Sequence, residues 1–98
     1  MKFEISRRAR REIERIGRWW VDNRPAAREL FVHELAEAER LLRTAPDTEA
    51  WRTRGGKVIR RWLLPKTQYH LYFLYDAKSD RLLVVAVWGA TRGKDPNL

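Results

Sequence analysis

Apolar residues change their spacing along this chain, and each change marks an element. Phe3 and Ile5 alternate with Lys2 and Glu4, a period of two that predicts a short strand ending at Ser6, a residue suited to cap a helix. Beyond it Ala9, Ile13, Ile16 and Trp20 form one apolar stripe at helical spacing, predicting a helix from Arg7 to Asp22. Asn23-Arg24-Pro25 breaks that pattern, and Pro25 is placed to open a second helix. That helix has a broader buried face of Ala27, Phe31, Leu35, Ala38 and Leu42, flanked by Leu30 and Leu41, and Ala45-Pro46-Asp47 ends it. Two helices joined by so short a link form an antiparallel hairpin, whose inner face needs another apolar layer.

The second half supplies the layer. After a polar stretch from Thr48 to Gly56, where Gly55 and Gly56 mark a turn, three runs rich in β-branched, aromatic and leucine residues follow: Val58–Leu64, Tyr69–Tyr75 and Leu82–Trp88. The links Pro65-Lys66-Thr67-Gln68 and Asp76–Asp80 are short enough to be hairpins. The expected fold is α+β with the order β-α-α-β-β-β, a helix hairpin packed on a mainly antiparallel four-stranded sheet. At 98 residues the chain is expected to form a single domain, 1–98.

Composition narrows the chemistry. There is no cysteine, which removes disulfides and thiolate metal sites and suits the cytoplasm. No apolar run reaches the length of a secretory or membrane-spanning segment, so no membrane partner is expected. The two histidines, His33 and His70, have no second ligand at metal spacing, and no phosphate loop or nucleophile motif is present; no metal and no cofactor are expected. His33 stands between Glu29 and Glu37, the spacing of a helical ion-pair ladder.

Charge adds a direction. The chain carries 21 Lys and Arg against 13 Asp and Glu, net +8, distributed as +4 over residues 1–24, −3 over 25–49 and +7 over 50–98. Two basic ends around an acidic middle suit an acidic partner or a polyanion, and equally a basic protein with no polyanion target. Arg7, Arg8, Arg10 and Arg11 open the first helix, where each exposed cation opposes the helix dipole by about 0.3–1 kcal/mol. Lys57, Arg60, Arg61 and Lys66 lie on or beside the first strand of the meander, and Arg92 and Lys94 follow the last. Strand alternation puts Arg60 and Arg61 on opposite faces, so one of them sits near buried surface. Trp19 and Trp20 cannot both face one core, which leaves one indole as a candidate contact. If the chain cleaves a phosphodiester it must do so without metal, with arginine or lysine stabilising the transition state and His70 or Lys57 moving protons.

The order of elements, with Tyr69-His70-Leu71-Tyr72-Phe73-Leu74-Tyr75 and Val85-Ala86-Val87-Trp88-Gly89-Ala90-Thr91-Arg92-Gly93-Lys94-Asp95-Pro96, resembles the RelE/ParE superfamily of bacterial toxins over nearly the whole chain. The basic first helix, Pro25, Phe31 and Leu35, Pro46, and Arg60-Arg61 before the tyrosine-rich strand match in order.

The resemblance implies the toxin of a type II toxin–antitoxin system, of the kind called plasmid stabilisation proteins. A cognate antitoxin would neutralise it, and operator DNA would be bound only through that antitoxin. Within the superfamily, ParE-like members inhibit DNA gyrase, while RelE-like members cut mRNA in the ribosome with a basic sheet cluster and a C-terminal Arg followed by Tyr or His. After Arg92 this chain has only Gly93, Lys94, Asp95, Pro96, Asn97 and Leu98, a departure that favours ParE and a gyrase inhibitor over an enzyme. Target-binding candidates are then Arg60, Arg61, Lys66, Arg92 and Lys94. Antitoxin-binding candidates are Arg7, Arg8, Arg11, Trp19, Trp20 and Phe31. The endonuclease alternative, with ribosome and mRNA as partners, would use Lys57, Arg61, His70 and Arg92. A basic nucleic-acid-binding module without toxicity is a further alternative.

Overall fold

The computed structural model describes residues 1–48 and 50–98. In chain order they form β1 (Lys2–Ile5), α1 (Arg7–Asn23), a 3-10 turn (Pro25–Ala27), α2 (Leu30–Thr44), β2 (Ala50–Arg54), β3 (Lys57–Leu64), β4 (Tyr69–Asp76) and β5 (Arg81–Gly89). The strands make one sheet in the order β1-β5-β4-β3-β2. β1 runs parallel to β5, and the other neighbours are antiparallel. The architecture is the expected one, a helix pair on a mainly antiparallel sheet, with five strands instead of four.

The additional strand is β2. Trp51 is its only large apolar residue, so hydropathy does not reveal it. The hairpin does: Gly55 and Gly56 have φ of 60° and 77°, the two left-handed residues that a two-residue turn needs to match strand twist. β2 then pairs with β3 from Arg54 opposite Lys57 back to Ala50 opposite Arg60. The second helix also differs from expectation. Pro25 opens a 3-10 turn, closed by the Ala27 N–H on the Arg24 carbonyl at 2.9 Å. No side chain caps α2, which begins only at Leu30.

Ser6 fixes the passage from β1 into α1. Its Oγ accepts the Ala9 N–H at 3.1 Å and donates to the Val85 carbonyl at 3.3 Å. β1 pairs with β5 only as far as Val84, and α1 covers the edge beyond. There Glu12, 7 % exposed, accepts the Val87 N–H at 3.0 Å through Oε1 and the Arg8 Nε–H at 3.4 Å through Oε2. A strand N–H under a helix has no water to bond, so a side-chain acceptor must replace the missing strand. Glu34 does the same for α2, accepting the Lys66 N–H at 2.6 Å, the Thr67 N–H at 2.9 Å and the Thr67 hydroxyl at 2.6 Å.

Between these anchors lies the main core, with Ala9, Ile16, Phe31, Ala38 and Leu42 of the helices on Leu64, Leu71, Phe73, Leu82, Val84 and Val87 of the sheet. Phe31 is wholly buried and meets the Tyr69 ring edge-on at 5.2 Å. It therefore fastens α2 to β4, and its side chain, named among the antitoxin-binding candidates, is not exposed in the chain alone. Trp20 reaches the core, its indole N–H bonding the Tyr69 hydroxyl at 3.2 Å, while Trp19 stays 43 % exposed.

Replacing Glu12 with Ala should cost about 1–3 kcal/mol in urea unfolding, because the Val87 N–H is left buried without a partner. Glu12→Gln, which keeps a carbonyl oxygen at that position, should cost less. An E12A chain as stable as the parent would contradict this account of the β5 edge.

Candidate functional site

The sheet has a second face, turned away from the helices. Leu71 and Phe73 belong to the main core, so His70 and Tyr72 project to the other side. In register, His70 lies between Leu63 and Trp88, and Tyr72 between Arg61 and Ala86. A register shift at Tyr72/Phe73 opposite Val84–Ala86 places an extra residue, Val85, in β5, the kind of bulge that re-aims side chains beside sites. Ile59, Tyr72 and Ala86 form a small buried cluster here, with Trp51, Leu74, Val85, Trp88 and Leu98 packed around it.

The chain returns over this face after β5. Gly93, at φ 80°, turns it, and the Trp88 indole N–H donates to the Lys94 carbonyl at 2.9 Å. Arg52 pairs with Asp95 at 3.3 Å, Arg8 Nη1 donates to the Asn97 carbonyl at 2.6 Å, and Leu98 packs on the apolar cluster. Under the tail lies a cavity of about 180 Å³ lined by Arg61, His70, Tyr72, Trp88, Lys94 and Asp95 with neighbouring backbone.

Aromatic rings seat the cations. The Arg92 guanidinium lies 3.9 Å over the Trp88 ring, Arg52 lies 4.1 Å over Trp51, and Arg61 is 5.8 Å from the same ring. A Cβ at 89 would meet the Arg92 Cγ at 3.0 Å, so any larger residue there would push the stacked side chain slightly aside. Burial holds the His70 pKa below its ordinary value, the Arg61 charge adds to this, and Asp95 partly opposes it. Burial likewise raises the Tyr72 hydroxyl, against the influence of Arg61. The cavity thus presents a neutral imidazole beside a fixed cation.

Of the four endonuclease candidates, only Arg61 and His70 line this cavity. Lys57 lies at the β2–β3 hairpin, along a separate cleft of about 620 Å³ shared with Glu4, Leu74 and Arg81, and Arg92 is stacked on Trp88. Among the target-binding candidates, Arg61 and Lys94 line the cavity, whereas Arg92, stacked on Trp88 at its rim, also lines a cleft of about 360 Å³ with Arg15, Trp19 and Tyr69 on the α1 side. Arg60 shares the helix side with Trp62 and Leu64, and its guanidinium bonds the Thr48 carbonyl. Lys66 is exposed in the β3–β4 turn that Glu34 holds to α2. The structure does not bring Arg60 and Lys66 to the site. Trp51, Arg52, Tyr72, Trp88 and Asp95 are site residues that residue-type patterns missed. Their signal was the Gly55-Gly56 hairpin and strict alternation along β4.

The helix side carries a different surface. Ile13, Val32, Leu35 and Glu39 line a groove of about 200 Å³ between the helices, floored by Phe3 and Ile5. Arg7 and Arg11 are exposed, whereas Arg8 is engaged with Glu12 and Asn97. Trp19 stands edge-on to Trp20 at 5.5 Å with Arg24 5.3 Å from its ring. The expected ladder at His33 forms on one side only, with Glu29 at 3.8 Å, because Glu37 pairs with Arg40 at 2.5 Å. Among the described residues, no helix is long and apolar enough to cross a membrane.

The model of the ParE toxin of type II toxin–antitoxin system, parDE, matches residues 3–93, and the chain belongs to that family. Its fold is similar to a solved structure described as the chromosomal ParDE TA system from P. aeruginosa, with a TM-score of 0.69 and 16 % identity over 91 % of this chain and 95 % of that one. No curated protein matches the chain.

Titration of His70 by NMR should give a value below the ordinary 6.5, raised in Arg61→Gln and lowered further in Asp95→Asn. Because the folded value is depressed, the unfolded chain takes up this proton first as pH falls. The stability that neutral His70 confers is complete above 6.5 and fades as pH drops toward the folded value. His70→Gln should remove that part of the pH dependence of urea unfolding; an unchanged curve would contradict it.

Proposed function

We propose that this chain is a cytoplasmic toxin that inhibits DNA gyrase and is neutralised by a cognate antitoxin. Family membership supports the toxin–antitoxin setting. The observation that carries the gyrase reading is the tail. Cleavage of a phosphodiester without metal needs a base, an acid and a cation on one phosphate. Here the residues after Arg92 bring neither Tyr nor His to the Arg61–His70 cavity, and Arg92 rests on Trp88. What remains is a rigid sheet presenting cations seated on aromatic rings, a surface built for binding.

On this reading the target engages the sheet face through Arg61, Arg92 and Lys94. The antitoxin takes the helix side, through Arg7, Arg11, Trp19 and the groove between α1 and α2, and operator DNA is reached only through it. No cofactor takes part. Arg61 beside a neutral His70, with the Tyr72 hydroxyl and Lys94 in the same cavity, favours the ribosomal mRNA endonuclease instead, and message cut by the parent chain but not by H70Q would establish that activity.

In a supercoiling assay the purified chain should inhibit gyrase. Arg61→Glu and Arg92→Glu should each weaken inhibition by about tenfold or more, equivalent to about 1.4 kcal/mol, with antitoxin binding retained. Supercoiling untouched at saturating toxin would overturn the gyrase reading.

A further inference from the structure

The tail on the sheet face is already a peptide ligand, bound in cis, and it shows what else the face can hold. Arg52 takes its Asp95 carboxylate, the Trp88 indole and Arg8 take its carbonyl oxygens at 94 and 97, and the Ile59–Tyr72–Ala86 cluster takes Leu98. We propose that this face accepts an extended acidic segment with an aliphatic anchor from the protein that it engages, and that residues 93–98 occupy the site until that segment displaces them. The inference rests on the sheet face being the target face, and gives the chemistry of the target's contact.

Charge supports it. Among the described residues Asp95 is the one acid lining the cavity, against Arg61 and Lys94, and Arg61, half-buried, has no carboxylate partner. A cation in that position holds capacity for a second anion. Its one ion pair is weak, so the tail is held chiefly by the hydrogen bonds to its carbonyls at 94 and 97, buried Pro96 and Leu98. Arg52 and Asp95 are about half exposed, at 47 % and 54 %, and such pairs contribute about 0–1 kcal/mol. The tail adds no strand or helix to hold it, which places its opening at the low end of local stability. A peptide fits better than a single strand of nucleic acid. The two indoles that bases would use as stacking platforms already carry Arg52 and Arg92, and the Leu98 seat is apolar.

The test uses the full-length chain labelled with ¹⁵N, read at the Trp88 indole N–H. The probe is a synthetic peptide with the sequence of residues 93–98, acetylated at its N-terminus so that its Asp and terminal carboxylate outweigh its one lysine. Asp95→Ala with Leu98→Ala should shift the indole resonance as the Lys94 carbonyl leaves, and D95N alone should shift it part of the way, with the rest of the spectrum reporting an intact fold. The peptide should then restore the resonance, binding the double variant about tenfold or more tighter than the parent, where the tethered tail competes at an effective concentration of roughly millimolar. Adding Arg52→Gln or Arg61→Gln should weaken that binding several-fold, as should Asn in place of the peptide's Asp. An indole unmoved in the double variant, a peptide that fails to restore it, or an oligothymidylate that occupies the face where the peptide does not would each overturn the proposal. Peptide binding by a chain that leaves gyrase untouched would support the inference while removing gyrase as the partner.

Discussion

The structure hangs on one hydrogen bond at the edge of β5. β1 covers that strand only to Val84, and the next inward amide on the covered edge, that of Val87, would be buried without a partner were it not for Glu12. A helix laid over an open strand edge is stable only if it brings its own acceptor. With Glu12 in place, α1 is fixed along β5 in rotation and register. Ile16 and Trp20 then fall onto the sheet, and Trp19 is forced outward. Arg8 extends the same chain of contacts, from the Glu12 carboxylate to the Asn97 carbonyl. One carboxylate thereby couples the helix, the strand edge and the tail on the far face.

That coupling recasts the basic start of α1. Four arginines at the positive end of a helix dipole oppose local stability, and nothing in a helix considered alone explains them. Arg8 has a structural reason, since it bridges Glu12 to the tail. Arg7 and Arg11 are exposed on the side proposed above for the antitoxin. Both faces thus carry cations: exposed Arg7 and Arg11 with Arg24 over Trp19 on the helix side, and Arg52 and Arg92 stacked on Trp51 and Trp88 on the sheet side. Stacking restricts the side chains before any partner arrives, so less conformational freedom is lost on binding.

Much of this was legible in the residues. The helical stripe of Ala9, Ile13, Ile16 and Trp20, the three apolar runs and the Ser6 cap all led to the observed elements, because their periodicities are long and unbroken. β2 was hidden because a single Trp among polar residues carries no alternation, although the Gly55-Gly56 pair marks its hairpin. Phe31 shows the limit of a stripe: spacing places it on the apolar face of α2 but does not say whether a partner or the sheet covers that face. The meeting of Arg61 with His70 depends on the β3–β4 register, which the residues alone do not fix. The seat of the tail was beyond reach, since residues 93–98 have no pattern of their own and are held by Arg8, Arg52 and Trp88, all distant or opposite in the fold.

The central claim is a division of labour, in which the sheet face engages the target and the helix side is left for the antitoxin. Hydroxyl-radical footprinting of the chain with and without gyrase tests it through residues that the fold has already sorted. Trp51 and Trp88 stand on the sheet face, and Trp19 on the helix side. Binding should protect Trp51 and Trp88 from oxidation and leave Trp19 as reactive as in the chain alone. Protection of Trp19 with Trp51 and Trp88 unchanged would contradict the account.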